Sequence, residues 1–142
     1  MRKTILITMI ILSLVGAADS SYALKEHYAP PGTASCDINE TVSCTAVNQS
    51  EYSDLYGVPV SAIGIAGYLF LALLGVATVT NLVCYRTGVM ILAAAALAAL
   101  VFSVRMTFVE LAILGSVCPL CVISQTLIAA IAALALLAAL RR

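Results

Sequence analysis

Four of the five cysteines form two pairs whose spacing suits thiol–disulfide chemistry. Cys118 and Cys121 belong to a Cys-Pro-Leu-Cys motif, whereas seven residues separate Cys36 from Cys44. At the start of a helix, the first cysteine of a Cys-x-x-Cys motif faces unsatisfied backbone N–H groups and the positive end of the helix dipole. Both favour the thiolate, which is the nucleophile in disulfide exchange. The sequence therefore predicts a reactive dithiol at Cys118 and Cys121 and a second pair that can exchange with it.

Other roles for these cysteines carry less weight, although some stay open. A zinc site would need two closely spaced pairs, and only Cys118 and Cys121 have that spacing. A disulfide closing so short a loop removes little chain entropy, so a purely structural bond there is disfavoured. Cys36 and Cys44, taken alone, could still form a structural disulfide. Because four cysteines allow three pairings, the resting connectivity also stays open.

Composition places most of the chain in lipid. Hydrophobic residues make up 63% of the sequence and charged residues 10%, against roughly 45–50% and about 25% in soluble domains. Four apolar stretches cover about 4–24, 59–85, 88–115 and 117–140, and a spanning helix needs roughly 20 residues. The predicted fold is therefore an all-α membrane protein: a single domain over 1–142, built as a four-transmembrane-helix bundle. No basic stripe is present, which argues against nucleic acid as a partner.

The charges predict an orientation. Acidic residues dominate the loop of about 19–58, whereas most basic residues flank the other ends of the spans: Arg2, Lys3, Arg86, Arg141 and Arg142. Under the positive-inside rule, both termini are cytoplasmic and all four paired cysteines face outward. The first stretch could instead be a cleavable signal peptide. The long loop faces outward in either case.

Within the outer loop, the sequence predicts one short helix. Asp37 or Asn39 would cap a helix running through Val42, Cys44 and Val47. The segment Gly57-Val58-Pro59 would then break the chain before the second span. At the other end of that span, Cys84 has no partner in sequence, and we expect it to be a small packing residue.

The ordered pattern of these motifs resembles the vitamin K epoxide reductase family in its prokaryotic form. The matching positions are Cys36-Asp37-Ile38-Asn39, Ser43-Cys44, Val47, Ser50, Gly57-Val58-Pro59-Val60, Cys118-Pro119-Leu120-Cys121 and Ser124. The four-span layout matches as well. The family of disulfide-bond formation protein B does similar work, but it places its Cys-x-x-Cys before the other pair, the reverse of the order here.

The resemblance implies a role for each cysteine. Cys36 would exchange with a thioredoxin-like (DsbA-like) partner, and Cys44 would attack Cys118. Cys121 would face a quinone, either ubiquinone or menaquinone, with Ser50 hydrogen-bonding nearby. Members often carry a fused thioredoxin-like domain. This chain ends at Arg142, so we expect its partner to be a separate protein. The resemblance thus implies an enzyme of the cell membrane that supports disulfide formation in exported proteins.

Several further residues bear on the acceptor and on rival functions. Vertebrate members have a tyrosine where Gln125 stands, which favours a quinone over an epoxide as acceptor. Glu110 could take protons released during quinone reduction or pair with a hydroxyl such as that of Thr107, and its spacing from Arg105 disfavours an ion pair within the helix. Aromatic side chains that could line a quinone pocket are Tyr68, Phe70 and Phe108. The rival classes are a disulfide-stapled structural protein without redox turnover and a small transporter subunit using Arg105 and Glu110.

Overall fold

Four long apolar helices make up most of the chain in a computed structural model, which describes residues 1–141. The elements in chain order are α1 Arg2–Tyr28, α2 Cys44–Asn48, a 3₁₀ turn Glu51–Ser53, β1 Asp54–Leu55, β2 Val58–Pro59, α3 Val60–Val79, α4 Tyr85–Val109, a π-helical segment Glu110–Leu114 and α5 Pro119–Leu140. The predicted all-α four-helix membrane bundle is confirmed, and the loop between its first two spans contains a short helix, α2. Arg142, predicted to be cytoplasmic, lies outside the described residues.

The distribution of side chains around the four long helices is that of a membrane protein. Their apolar windows have mean hydropathies between 1.7 and 2.4, and large apolar side chains such as Leu73 and Val101 point outward, about 70% exposed. Small residues such as Ala96 and Ala135 are instead fully buried. Without a hydrophobic force between helices in lipid, close contact of small residues drives their association.

The first helix is a full member of this bundle. α1 packs against both α3 and α5, and its Leu6 and Met9 side chains belong to the main buried cluster. It also runs to Tyr28, beyond the predicted end of the first apolar stretch. This packing supports the reading of the first stretch as a retained span.

The cap of the loop helix differs from the prediction. α2 begins at Cys44, after Val42, and its cap is Ser43, whose Oγ accepts from the Ala46 N–H at 3.1 Å. Asp37 instead accepts hydrogen bonds from the side chain and backbone N–H of Thr45 and from the Ser43 hydroxyl, and these bonds lower its pKa. The prediction of Asp37 or Asn39 at the cap position was therefore wrong, because Ser43 directly precedes the helix, although Asp37 does accept from the first-turn N–H of Thr45.

The chain enters α3 through a tight hairpin that the sequence did not predict. β1 and β2 are antiparallel, and the turn between them places Tyr56 and Gly57 at positive φ angles of 52° and 81°. Two consecutive positive φ angles are typical of the type I′ turn, in which glycine is favoured at no steric cost. The predicted chain break at Gly57-Val58-Pro59 is thus an ordered reversal.

A backbone pairing joins the outer loop to the start of α5. Val42 and Val117 form a parallel bridge, in which the Val117 N–H donates to Thr41 O at 2.8 Å and the Ser43 N–H donates to Val117 O at 3.1 Å. The Ser116 hydroxyl adds a bond to Glu40 O at 2.9 Å. The two cysteines that follow these strands, Cys44 and Cys118, are consequently brought side by side.

Close packing of α1 on α3 predicts a stability effect at Gly16. A Cβ at this position would overlap the ring of Tyr68, which is buried and held by a hydrogen bond to Ser124 O. We expect Gly16→Ala to lower the free energy of unfolding by about 1–3 kcal/mol, the usual range for overpacking. The matched control is Gly67→Ala, because a Cβ there meets nothing within 4 Å. Unfolding in mixed detergent would measure both, and equal stabilities would contradict the prediction.

Candidate active site

The four outer cysteines form a continuous chain of sulfur atoms. Cys36 and Cys44 are joined by a disulfide, and the Cys44 Sγ lies 3.4 Å from the Cys118 Sγ. The Cys121 thiol hydrogen-bonds the Cys118 sulfur in turn. In this state the Cys36–Cys44 pair is oxidised and the Cys118–Cys121 pair carries thiols, so two electrons reside on the pair next to the membrane.

Burial gives this chain two accessible ends. Cys44 and Cys118 in the middle are both 0% exposed, whereas Cys36 and Cys121 are half-buried. Cys36 lies on the outer loop, and Cys121 lines a cavity inside the bundle. A redox partner in water and a molecule in the cavity therefore meet different cysteines, and exchange between the two pairs must pass through the buried contact of Cys44 with Cys118.

Cys118 occupies the N-cap position of α5, with Pro119 as the first helical residue. The hydrogen bond from the Cys121 thiol is the largest influence on the pKa of Cys118 and lowers it, and the backbone N–H groups of Leu120 and Cys121 lower it further. Burial and the nearby Glu110 carboxylate act in the opposite direction, but the net pKa is below that of an ordinary thiol. The start of α5 thus favours a thiolate at Cys118, as the motif predicts.

One donor to Cys118 was not anticipated. The buried Asn48 side chain donates from Nδ2 to the Cys118 Sγ at 3.7 Å. Asn48 lies at the end of α2, four residues after Cys44, so both side chains project from one face of the short helix. That spacing was visible in the sequence, but only the pairing of the loop with α5 shows which sulfur Asn48 reaches.

A cavity of about 370 Å³ lies beside Cys121, between the four long helices. The predicted residues Ser50, Tyr68 and Phe70 line it together with Cys121, whereas Phe108 is not among its lining residues and is 66% exposed. The wall is overwhelmingly apolar, with a few polar groups, which is the usual character of a site for an organic ligand. A largely apolar molecule with a few polar groups would suit it.

The hydroxyl groups in this wall are already oriented. Ser50 donates to Val47 O at 2.8 Å, which leaves its oxygen lone pairs available as acceptors. The Tyr68 hydroxyl donates to Ser124 O at 2.7 Å and lies 3.0 Å from Ser124 Oγ. Tyr68 thereby ties α3 to the turn of α5 that follows Cys121 and fixes the cavity wall next to that thiol.

Glu110 also lines the cavity and contacts the inner cysteine pair. It is 3% exposed, accepts from the Cys118 N–H at 3.3 Å and hydrogen-bonds the Cys121 thiol. The alternative partner, the Thr107 hydroxyl, instead contacts Gln125. Arg105 is exposed and lies beside the Met106 sulfur, so the disfavoured pairing with Glu110 is not formed.

Two polar residues of α1 line the cavity although the sequence did not predict them there. One residue that was expected to pack inside the bundle is instead exposed. Asp19 and His27 line the cavity. His27 also contacts the backbone oxygen of Asn48 and lies 3.4 Å from the Asp54 carboxylate. Cys84 is exposed at the N-cap of α4, so its prediction as a packing residue was wrong. No sequence signal placed these side chains, because their surroundings depend on how the helices face one another.

The chain matches a known protein family. The model of the Vitamin K epoxide reductase family matches residues 7–136 of the 142, a range that includes all four paired cysteines and all or most of each long helix. A search of curated proteins finds no match.

The environment of Cys118 predicts how its thiolate depends on pH. The Cys121 thiol makes the largest contribution to lowering the pKa of Cys118, so Cys121→Ala should raise that pKa. A lowered pKa keeps the thiolate present to lower pH, and in the variant the thiolate should therefore be lost at a higher pH. Titration of thiolate ultraviolet absorbance would measure the shift. The background should lack the other three cysteines: Cys36→Ala, Cys44→Ala and Cys84→Ala.

The matched control for this titration is Ser124→Ala, which removes a hydroxyl from the next turn of α5 without touching a sulfur atom. Its thiolate curve should superimpose on that of the parent. A Cys121→Ala curve that coincides with the parent curve, or that moves to lower pH, would contradict the assigned hydrogen bond.

Proposed function

We propose, from the fact that this chain belongs to the vitamin K epoxide reductase family, that it reoxidises a thioredoxin-like (DsbA-like) partner and passes the electrons to a quinone. Membership makes the chain a membrane thiol–disulfide oxidoreductase. The proposal adds the direction of electron flow, the acceptor and the residues that act.

The observation that carries the proposal is the chain of four sulfur atoms with one end on the outer loop and the other in the cavity. A partner thiolate would attack the half-buried Cys36 and release Cys44 as a thiolate. The second thiol of the partner would attack the mixed disulfide, so that the partner leaves oxidised and Cys36 is freed. With its sulfur 3.4 Å from that of Cys118, Cys44 would attack an oxidised Cys118–Cys121 bond and release Cys121. Cys36 would then attack Cys44, which restores the Cys36–Cys44 disulfide and releases Cys118. Each exchange conserves the number of disulfides, and the complete sequence moves two electrons inward.

The acceptor is inferred from the cavity. Cys121 is the cysteine that lines it, and its largely apolar wall between four apolar helices suits a lipid-soluble molecule. A quinone takes two electrons and two protons, the same number that oxidation of the Cys118–Cys121 dithiol releases. Ser50, in the wall with a free acceptor side, would help position the quinone ring.

The charged ends of the bundle support an outward-facing site. Arg141 contacts Met1, and the guanidinium of Arg2 lies over the ring of Tyr85. Three positively charged segments, at residues 2, 86 and 141, therefore meet at the end of the bundle away from the cysteine pairs. By the positive-inside rule we expect that end to lie in the cytoplasm. The termini would then be cytoplasmic, the active site would lie on the extracytoplasmic face of the cell membrane, and exported proteins would be the final recipients of disulfides.

The decisive experiment is quinone reduction by the purified protein in detergent, with a reduced thioredoxin-like protein as electron donor and ubiquinone and menaquinone analogues as acceptors. Cys121→Ala should reduce turnover by about 10³-fold or more, as expected when a covalently acting group is removed. Cys84→Ala is the matched control, because this exposed cysteine is not part of the sulfur chain and should leave turnover unchanged. Failure of the wild type with both quinones would overturn the proposal.

Entry of electrons at Cys36 gives a second prediction. Cys36 is half-buried whereas Cys44 is fully buried, so an incoming protein thiolate should reach Cys36 first. A thioredoxin-like protein with a single active-site thiol should form a mixed disulfide with the oxidised chain. Peptide mapping should locate the link at Cys36, and Cys36→Ala should abolish it. A link at Cys44 or Cys118 would contradict the proposed order.

A further inference from the structure

Glu110 is a carboxyl group in an uncommon position. It is 3% exposed, and the ion pairs among residues 1–141 do not include it. A buried carboxylate without a cationic partner lowers the stability of the fold, so a purely structural role does not account for a glutamate at this position. Ionisable groups within membrane spans are commonly part of a proton or substrate pathway.

The backbone around Glu110 aims its side chain at the inner cysteine pair. α4 gives way at this residue to the π-helical segment, which ends at Gly115 with a φ of 63°. The N–H groups of Gly115 and Ser116 both donate to Glu110 O, and the chain then turns back to Cys118. Single π-helical turns within α-helices are frequent at functional sites, and this one places the carboxyl between Cys118, Cys121 and the cavity.

The proposed reaction requires a proton carrier at this point. Oxidation of the Cys118–Cys121 dithiol forms one S–S bond and releases two electrons and two protons. Reduction of a quinone to a quinol takes up two electrons and two protons, forming two O–H bonds. The overall reaction is balanced without protons from solvent, but the protons must cross from the sulfur atoms to the quinone oxygens inside an apolar cavity.

We propose that Glu110 is the group that carries protons from the Cys118–Cys121 dithiol to the quinone. This inference rests on the proposed function and adds a catalytic residue to it. The carboxylate takes a proton from the Cys121 thiol, which it contacts, and gives that proton to the quinone bound in the cavity that both residues line. Its second contact, the Cys118 N–H at 3.3 Å, keeps the carboxyl in place between transfers.

Other titratable groups face the same cavity but lack the contact with a reacting thiol. Asp19 and His27 reach it from α1, Tyr68 from α3 and Tyr52 from the 3₁₀ turn. The Tyr68 hydroxyl is engaged with Ser124, and His27 faces Asn48 and Asp54. Asp19 is the remaining carboxyl in the wall, and it is therefore the rival that an experiment must exclude.

The test separates proton transfer from thiol exchange. Protein reduced beforehand is mixed rapidly with a quinone analogue, and quinol formation is followed by absorbance; reduction of Cys36–Cys44 by the partner is timed separately. Glu110→Gln keeps the acceptor for the Cys118 N–H but cannot exchange a proton. We expect it to slow quinol formation by about 10²-fold, within the range for general acid–base catalysis, while partner exchange changes by less than about twofold.

Three further variants make the outcome specific. Glu110→Asp retains an ionisable group and should restore much of the rate, and it also serves if the Gln variant does not fold. Glu26→Gln is the matched control, because Glu26 is 4% exposed but does not line the cavity, and it should leave quinol formation unchanged. Asp19→Asn tests the rival carboxyl, and at saturating quinone it should slow quinol formation far less than Glu110→Gln does.

Each outcome bears on the inference directly. A Glu110→Gln protein that forms quinol at the wild-type rate would overturn it, as would a variant that slows both steps equally. Loss of quinol formation in Asp19→Asn with a normal rate in Glu110→Gln would assign the proton path to Asp19 instead. If the wild type itself reduces no quinone, the proposed function fails; if only the effect of Glu110→Gln is missing, the proposed function stands and this inference alone is wrong.

Discussion

The site depends on one short stretch of parallel backbone pairing, between residues 41–43 of the outer loop and Val117 before α5. Cys44 and Cys118 are 74 residues apart in sequence, and bringing distant segments together costs chain entropy. Backbone hydrogen bonds at Val117 and the Ser116 hydroxyl bond offset that cost. With the register fixed, α2 begins at Cys44, whose sulfur contacts that of Cys118 at the N-cap of α5. Asn48 donates to the same Cys118 sulfur. A shift of one residue would turn these side chains apart.

The bundle beneath this pairing combines close helix contacts with an internal cavity. Alanine and glycine residues let the helices approach in the half of the bundle away from the cysteine pairs, where Ala96, Ala132 and Ala135 are almost completely buried. In the half nearer the cysteine pairs, larger side chains surround the cavity beside Cys121. The change in residue size along the helices thus leaves room for a ligand only near the dithiol. Tyr68 joins the two regions, because its ring packs on Gly16 and its hydroxyl bonds to Ser124.

Length, hydropathy and cysteine spacing were enough to predict four helices, an outer loop with a short helix, and two cysteine pairs on one side. These features depend on local patterns, which the sequence displays directly. The cap of α2 was assigned wrongly, because Asp37 and Ser43 are both suitable capping types and only tertiary contacts choose between them. Asp19, His27 and Asn48 were missed for a related reason: which face of a helix looks into a cavity depends on its rotation against neighbours. The hairpin was missed because its strands have two residues each.

The complete burial of the two middle sulfur atoms limits which thiols can react with them. Glutathione and other small thiols can collide with any sulfur that water can reach, but Cys44 and Cys118 present no such surface. In the proposed relay, electrons would enter at Cys36 and leave at Cys121, and the two sulfur atoms between them would be shielded from small thiols in water. Exposure of either buried sulfur to water would require the loop to separate from the start of α5. The same backbone pairing that aligns Cys44 with Cys118 thus also shields both sulfur atoms from small thiols.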